Sequence, residues 1–208
     1  MNQRDYRLGT LLATVALATV LWFVTFYITW GIFWVKIAVS AATLASIAWW
    51  SGFLHDQSLG FDLKAWLSGL VSAAALYLLF WSAKTLTTVF FSFAQDQIGA
   101  IYGKGEGTPM WIIILLLFFV TGPSEEIYWR GYLQRRLMLR FGGWQGWLLA
   151  TMTYAGVHLW SFNFMLIGAA GVAGAFWGAM YWRLGKLGPV IISHSLWSSA
   201  IFAVLPMS

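Results

Sequence analysis

The sequence predicts an all-α protein, a polytopic helical bundle that spans a membrane. Of its 208 residues, 60% are hydrophobic and only 9% are charged, whereas globular domains carry about 25% charged residues. Its apolar runs are each about as long as the 20 residues with which an α-helix crosses a bilayer. Lipid is therefore the expected surrounding of most of the chain, and a soluble cytosolic protein is excluded.

About seven transmembrane helices are predicted within one domain, residues 1–208. The first two runs, 8–28 and 32–54, form a hairpin, and a third covers 65–93. The glycines and charges of 95–109 predict a loop. The fourth span runs from Met110 to a stop at Gly142-Gly143, with a kink at Gly122-Pro123. The uncharged stretch 141–182 holds the next two spans, divided near residues 160–163, and 187–207 is the seventh.

The distribution of basic residues predicts the orientation of this bundle. With a cytoplasmic N-terminus, eight basic residues lie on the cytoplasmic side and three (Lys36, Lys84 and Lys104) towards the other; the eight are Arg4, Arg7, Lys64, Arg135, Arg136, Arg140, Arg183 and Lys186. This bias follows the positive-inside rule. The charges form no basic stripe, so nucleic-acid binding is not expected. The first apolar run is too long for a signal peptide and is interpreted as a retained span.

Two adjacent carboxylates in the fourth span are the first candidates for chemistry. A carboxylate inside a membrane is costly and persists only with a partner or a function. Glu126 precedes Arg130 by four residues, which is favourable spacing for an ion pair within a helix. Successive helical residues point about 100° apart. Glu125 is therefore expected to face another helix and to need a polar partner there.

Two histidines are the expected partners of Glu125: His158 in the fifth span and His194 in the seventh. A glutamate and a histidine can activate water for attack on a carbonyl carbon, and a second histidine can donate to the oxyanion that forms. Ser198, one turn after His194, projects from the same helix face and is a candidate second donor. Alternatively, Glu125, His158 and His194 form a zinc-binding set. The absence of cysteine excludes thiolate sites and disulfides.

The motifs of this region resemble those of the CPBP family, the CAAX prenyl endopeptidases and bacteriocin-processing proteins that are also called Abi proteins. Residues 125–130, EEIYWR, resemble its E-E-x-x-x-R motif. Tyr154 to His158 resembles F-x-x-x-H, with tyrosine in place of phenylalanine, and His194 to Ser198 resembles H-x-x-x-N, with serine in place of asparagine. The likeness covers residues 110–205, the predicted catalytic core.

The resemblance implies an intramembrane endopeptidase in which Glu125 activates water with His158, while His194 and Ser198 stabilise the oxyanion. Glu126, Arg130 and Tyr154 would support the site. A reaction without a cofactor is favoured because Ser198 is a hydrogen-bonding neighbour on the same face as His194, which suits donation better than metal ligation, and zinc is the alternative. The expected partner is a peptide or protein substrate entering from the membrane or the cytoplasmic face. The expected location is the lipid bilayer of a prokaryotic plasma membrane. The alternatives are a non-catalytic immunity or scaffold protein of the same fold, or a small proton-coupled transporter.

Overall fold

The computed structural model describes residues 8–52 and 59–206. Within them the chain forms eight helices and no strand. Their bounds are Leu8–Phe26 (α1), Phe33–Trp50 (α2), Leu63–Phe90 (α3), Ala94–Tyr102 (α4), Met110–Phe141 (α5), Gly143–Val157 (α6), Phe164–Leu184 (α7) and Gly188–Val204 (α8). The predicted all-α membrane bundle is confirmed. Arg4, Arg7 and the polar connection at His55 lie outside the described residues.

Five of these helices are long and apolar enough to cross a membrane: α1, α2, α3, α5 and α7. The helix α8 is apolar but shorter. The predicted fifth span is a 15-residue helix, α6, followed by a 3₁₀ turn at His158–Ser161. The count of seven spans is therefore not confirmed, and the cytoplasmic N-terminus stays a prediction.

The segment that follows α3 differs from its prediction. Residues 95–109 were expected to form a loop, but Ala94–Tyr102 is helical. Ala94 and Ile98, one turn apart, are buried, and the side-chain oxygen of Gln97 accepts a hydrogen bond from the backbone N–H of Met165 at the start of α7. This packing stabilises a helix that the polar composition of the segment did not indicate, because short helices depend mainly on tertiary contacts.

The long helix α5 is irregular around the two glutamates. The α-helical turn Gly122–Glu126 lies between π-helical turns at Leu116–Thr121 and Ile127–Gln134. Pro123 supplies no backbone N–H, which removes one donor from the helix ladder at the predicted kink. Gly142, at φ +95°, ends α5 as its sequence predicts.

The small residues of α7 allow close helix packing. A Cβ atom at Gly174 would lie 2.9 Å from Tyr154 Cδ1 on α6, so any larger side chain would push the two helices apart. The face formed by Ala170, Gly174 and Gly178 therefore packs against neighbouring helices and does not form a groove.

The two ends of the bundle differ in charge. At one end, Asp62 pairs with Lys186, and Gly188 is hydrogen-bonded to Leu59. At the opposite end, the indole of Trp34 donates to the carbonyl oxygen of Lys104. The antiparallel helices place Lys64, Arg140 and Arg183 at the first end, which we call the arginine-rich end, and Lys104 at the other.

Candidate active site

A cavity of about 410 Å³ connects the middle of the bundle with the end that carries Lys104. Such a volume lies within the range of small-molecule pockets, about 300 to 1,000 Å³. Glu125, His158, His194 and Ser198 all contribute to its wall. The tertiary structure thus brings the four predicted catalytic residues, from two helices and a 3₁₀ turn, to one surface.

The cavity extends away from the arginine-rich end of the bundle. Glu125 lies near the midpoint of α5, and the cavity extends from it towards Phe33, Tyr102 and Lys104. The arginines of the other end do not line it.

Glu126 is the centre of a buried ionic network. It is fully buried, and its Oε1 accepts hydrogen bonds from Arg130 Nη1 at 2.8 Å and from His194 Nδ1 at 2.6 Å. Arg130 also donates to the carbonyl oxygen of Gly174 at 3.3 Å. The predicted pair between Glu126 and Arg130 is therefore present, and His194 extends it.

This network fixes the ring of His194. Because the paired carboxylate only accepts, Nδ1 must carry hydrogen, and Nε2 is left for other partners. The ring stacks on Trp177 with centroids 3.9 Å apart and planes at 16°. Sequence reasoning had assigned His194 to Glu125. The structure instead bonds it to Glu126, although Glu125 is close enough to interact with it electrostatically.

Glu125 has a partner that the sequence did not predict. Its Oε2 accepts a hydrogen bond of 2.8 Å from the hydroxyl of Tyr154. The carboxylate is 6% exposed and lines the cavity, so it is both desolvated and accessible from the pocket. Tyr154 was predicted to support the site, and in the structure its hydroxyl holds one carboxylate oxygen of Glu125 in place.

His158 is held by backbone and indole groups. Its Nδ1 donates to the carbonyl oxygen of Tyr154 at 2.7 Å, since a carbonyl can only accept. Its Nε2 then accepts a long hydrogen bond of 3.4 Å from Trp22 Nε1 on α1. Both contacts fit a neutral ring protonated at Nδ1. Trp22 lies outside every predicted motif, and one tryptophan among 15 gave no sequence signal.

Ser198 lines the cavity, but its hydroxyl points back to its own helix. Oγ donates to the carbonyl oxygen of His194 at 2.8 Å, an arrangement common for serine within helices. The hydroxyl hydrogen is thus occupied and is not directed at the cavity. This orientation does not match the oxyanion donor that the motif implied.

Gly122 is a further residue that sequence reasoning missed as part of the site. A Cβ atom there would lie 2.6 Å from Ser195 Oγ and 3.1 Å from Ser195 Cα. Only glycine allows α5 to approach α8 this closely. The approach brings Glu126 within reach of His194, which neighbours Ser195.

The described part of the chain contains no group of three histidine, aspartate or glutamate side chains arranged to hold a metal ion. Glu125 is bonded to Tyr154, and Nδ1 of each histidine is bonded to another group. Bonds of this kind at Nδ1 leave Nε2 of each ring available, so the zinc set considered from the sequence stays an alternative.

The part of the chain that carries these site residues matches a known protein family. Residues 107–200 match the family model described as type II CAAX prenyl endopeptidase Rce1-like. Through this region, a little under half of its length, the chain is similar to the Rce1-like family. The resemblance seen in the motifs is thereby confirmed, while the narrower link to bacteriocin processing stays a prediction. Neither the comparison with curated proteins nor that with solved structures gave a match.

The Rce1-like region includes Glu125, Glu126, Arg130, Tyr154, His158, His194 and Ser198. The family is one of proteases, and the apolar helices indicate an integral membrane protein. Trp22, Trp34 and Lys104, which complete the cavity wall or hold its residues, lie before the matched region.

Proposed function

We propose that this protein is an intramembrane endopeptidase that hydrolyses a peptide bond with water activated by Glu125. The observation that supports this most directly is the position of the Glu125 carboxylate: buried, held through one oxygen by Tyr154, and exposed to the cavity beside two histidines. A desolvated carboxylate is a stronger base than one in water. The fixed geometry also lowers the cost of positioning water.

In this mechanism, Glu125 takes a proton from water while the resulting hydroxide attacks the scissile carbonyl carbon. His158 orients the water through Nε2, exchanging its long bond from Trp22 for one from the water. The negative charge that develops on the carbonyl oxygen is stabilised by His194, which donates from Nε2 when its ring is protonated. Glu125 then delivers its proton to the departing amine, and the peptide bond breaks.

The ionic network has a positioning role in this mechanism. Glu126 orients His194 and stabilises positive charge on its ring, while Arg130 compensates the charge of Glu126. This division agrees with the contacts, since Glu126 is completely buried and does not line the cavity. We propose that the reaction needs no metal ion, because Glu125, His158 and His194 are each held by a protein hydrogen bond and the described residues form no group arranged to hold a metal.

A peptide or protein substrate would reach Glu125 from the bilayer or from the aqueous face at the Lys104 end of the cavity. We propose a prokaryotic plasma membrane as the location of the protein, and the distribution of basic residues supports a cytoplasmic N-terminus. Reporter fusions at Gly143 and Ser208 test the orientation, with a cytoplasmic Gly143 expected. This experiment also identifies the face on which the cavity opens.

The Glu125→Gln variant tests the enzymatic function. Glutamine keeps the shape of the side chain and an oxygen that accepts from Tyr154, but it cannot take a proton. Terminal-peptide proteomics of cells expressing the wild type should show cleavage products that disappear with Glu125→Gln. The matched control is Glu106→Gln, a change at an exposed glutamate outside the cavity, which should keep every product. Identical proteomes for all three proteins would contradict the proposal.

A chelator tests the metal-free mechanism. Cleavage by the purified protein should persist in a zinc chelator. Complete inhibition that added zinc reverses would instead identify a metal enzyme.

A non-catalytic peptide-binding protein of the same fold is the second candidate, and the orientation of Ser198 favours it. If Ser198 supplies no donor to the oxyanion, the site has one donor fewer than the motif implies. Binding of peptides without cleavage by the wild type, unchanged in Glu125→Gln, would support this function.

A further inference from the structure

Lys104 places a positive charge in the wall of the cavity. It lies in a 3₁₀ turn, Gly103–Gly105, between α4 and α5. Its carbonyl oxygen accepts a hydrogen bond of 2.9 Å from the buried indole of Trp34. Its ammonium group lies over the ring of Phe33, 4.9 Å from the centroid, and 5.8 Å from that of Phe26. Backbone and side chain are thus both held in position.

This ammonium group has no anionic partner among the described residues. Among the described residues, ion pairs are formed by Glu126 and by Asp62, and neither of them involves Lys104. Glu106, two residues on, lies near Gly103. Partial burial lowers the pKa of Lys104 below its ordinary value, which means that desolvation of its charge is not compensated.

Two further lysines make the same end of the cavity positive. Lys84 on α3 lines the wall with Lys104. Lys36 on α2 is close enough to Lys104 for electrostatic repulsion. All three lysines are only partly buried, and the ammonium group of Lys36 donates to the carbonyl oxygen of Ile28. Their combined positive charge attracts an anionic ligand to this end of the cavity.

We propose that Lys104 binds a carboxylate group of the peptide substrate while the apolar part of that substrate fills the cavity. This inference rests on the proposed endopeptidase function and adds a recognition residue to it. Lys104 and Glu125 line one continuous cavity, so the anion and the scissile bond belong to one molecule. The wall between them is mainly apolar and aromatic, including Phe80, Leu117, Ile201 and Phe202. The carboxylate is either the free C-terminus or an acidic side chain, and both have the chemistry that an ammonium group recognises.

Binding measurements with matched peptides test this role. The probes are N-palmitoyl tetrapeptides randomised among apolar residues, in three forms: free C-terminal carboxylate, C-terminal amide, and amide with one aspartate. Each is titrated against the full-length Glu125→Gln protein in phosphatidylcholine nanodiscs, where hydrolysis cannot occur. We expect at least one carboxylate form to bind about 10- to 100-fold more tightly than the neutral amide, as is typical of hydrogen bonds to charged groups.

Substitutions in the same background assign this preference to Lys104. Lys104→Met should remove it without weakening binding of the neutral amide, and Lys104→Arg should retain much of it. The control is Lys186→Met, at the other end of the bundle, which should retain all of it. Preference for the free C-terminus alone identifies the terminal carboxylate, and preference for the aspartate form alone identifies a side chain.

Other results would overturn the proposal. These are equal binding of charged and neutral peptides by the parent protein, no binding of any form, or equal weakening of all forms by Lys104→Met. A Lys104 effect that appears only in nanodiscs containing phosphatidylglycerol would instead assign the lysine to a lipid phosphate. Because none of these measurements requires catalysis, carboxylate preference without cleavage by the wild type would reject the enzymatic function and leave this inference standing.

Discussion

Replacing Arg130 by methionine should destabilise the protein strongly, because it leaves a buried carboxylate without its counter-ion. Arg130 is 2% exposed and Glu126 is fully buried. The guanidinium also lies over the ring of Tyr154, 4.8 Å from the centroid. Methionine has a similar length and keeps most of the apolar packing, so the change removes mainly the charge and its hydrogen bonds.

The magnitude follows from the contacts of Glu126. Removing one partner of a buried ion pair costs about 3 to 5 kcal/mol. His194 donates to the same carboxylate oxygen at 2.6 Å and compensates part of the lost charge when protonated. We therefore expect the free energy of unfolding to fall by about 3 kcal/mol, the lower end of that range. The double variant Glu126→Gln/Arg130→Met removes both charges and should recover part of the loss.

Reversible unfolding in mixed micelles, followed by circular dichroism, measures these differences. The control is Arg183→Met, which removes an exposed arginine at the end of α7 and should leave stability unchanged. If Arg130→Met were as stable as Arg183→Met, or if the double variant were less stable than Arg130→Met, the ionic network would not contribute as described.

Three further predictions follow from the contacts around Glu125. Tyr154→Phe removes the hydroxyl that donates to the Glu125 carboxylate. In a peptide-cleavage assay this variant should stay folded and show a kcat at least about tenfold lower than the wild type. An unchanged kcat would show that this hydrogen bond does not position the base. Ser198→Ala should retain activity within about threefold of the wild type, because an oxyanion donor would instead cost about 100-fold or more on removal. Gly174→Ala should lower the free energy of unfolding by roughly 1 to 3 kcal/mol, because the added methyl group would press on Tyr154. The control is Gly168→Ala, which should leave it unchanged because an added Cβ atom there meets nothing within 4 Å. Equal stability of the two variants would contradict the close packing of α6 and α7.

Much of the architecture follows from local sequence patterns. Apolar runs of membrane length predict the long helices, because each helix satisfies its own backbone hydrogen bonds in lipid. The pair between Glu126 and Arg130 was predictable because residues four apart on a helix are neighbours whatever the surroundings. Gly142 ends α5 because a positive φ favours glycine. Each of these features depends on residues within a few turns of one another.

The contacts between helices were decided only by the tertiary structure. The sequence could order Glu125, His158 and His194 along the chain, but it could not determine how α5, α6 and α8 rotate against each other. The rotation gives Glu125 a tyrosine as its partner and bonds His194 to Glu126. It depends on close approaches such as those at Gly122 and Gly174, where an added Cβ atom would lie under 3 Å from a neighbouring helix.

The sequence by itself determined that this protein is a bundle of membrane helices that carries two glutamates and two histidines within its apolar segments. The tertiary structure decided that α4 is a helix, that Ser198 bonds to its own backbone, and that the cavity extends towards Lys104. The physical reason is the range of the interactions involved. Helical periodicity and the cost of charge in lipid act on each segment alone, whereas partners, orientations and cavities depend on side chains that packing brings together from distant parts of the chain.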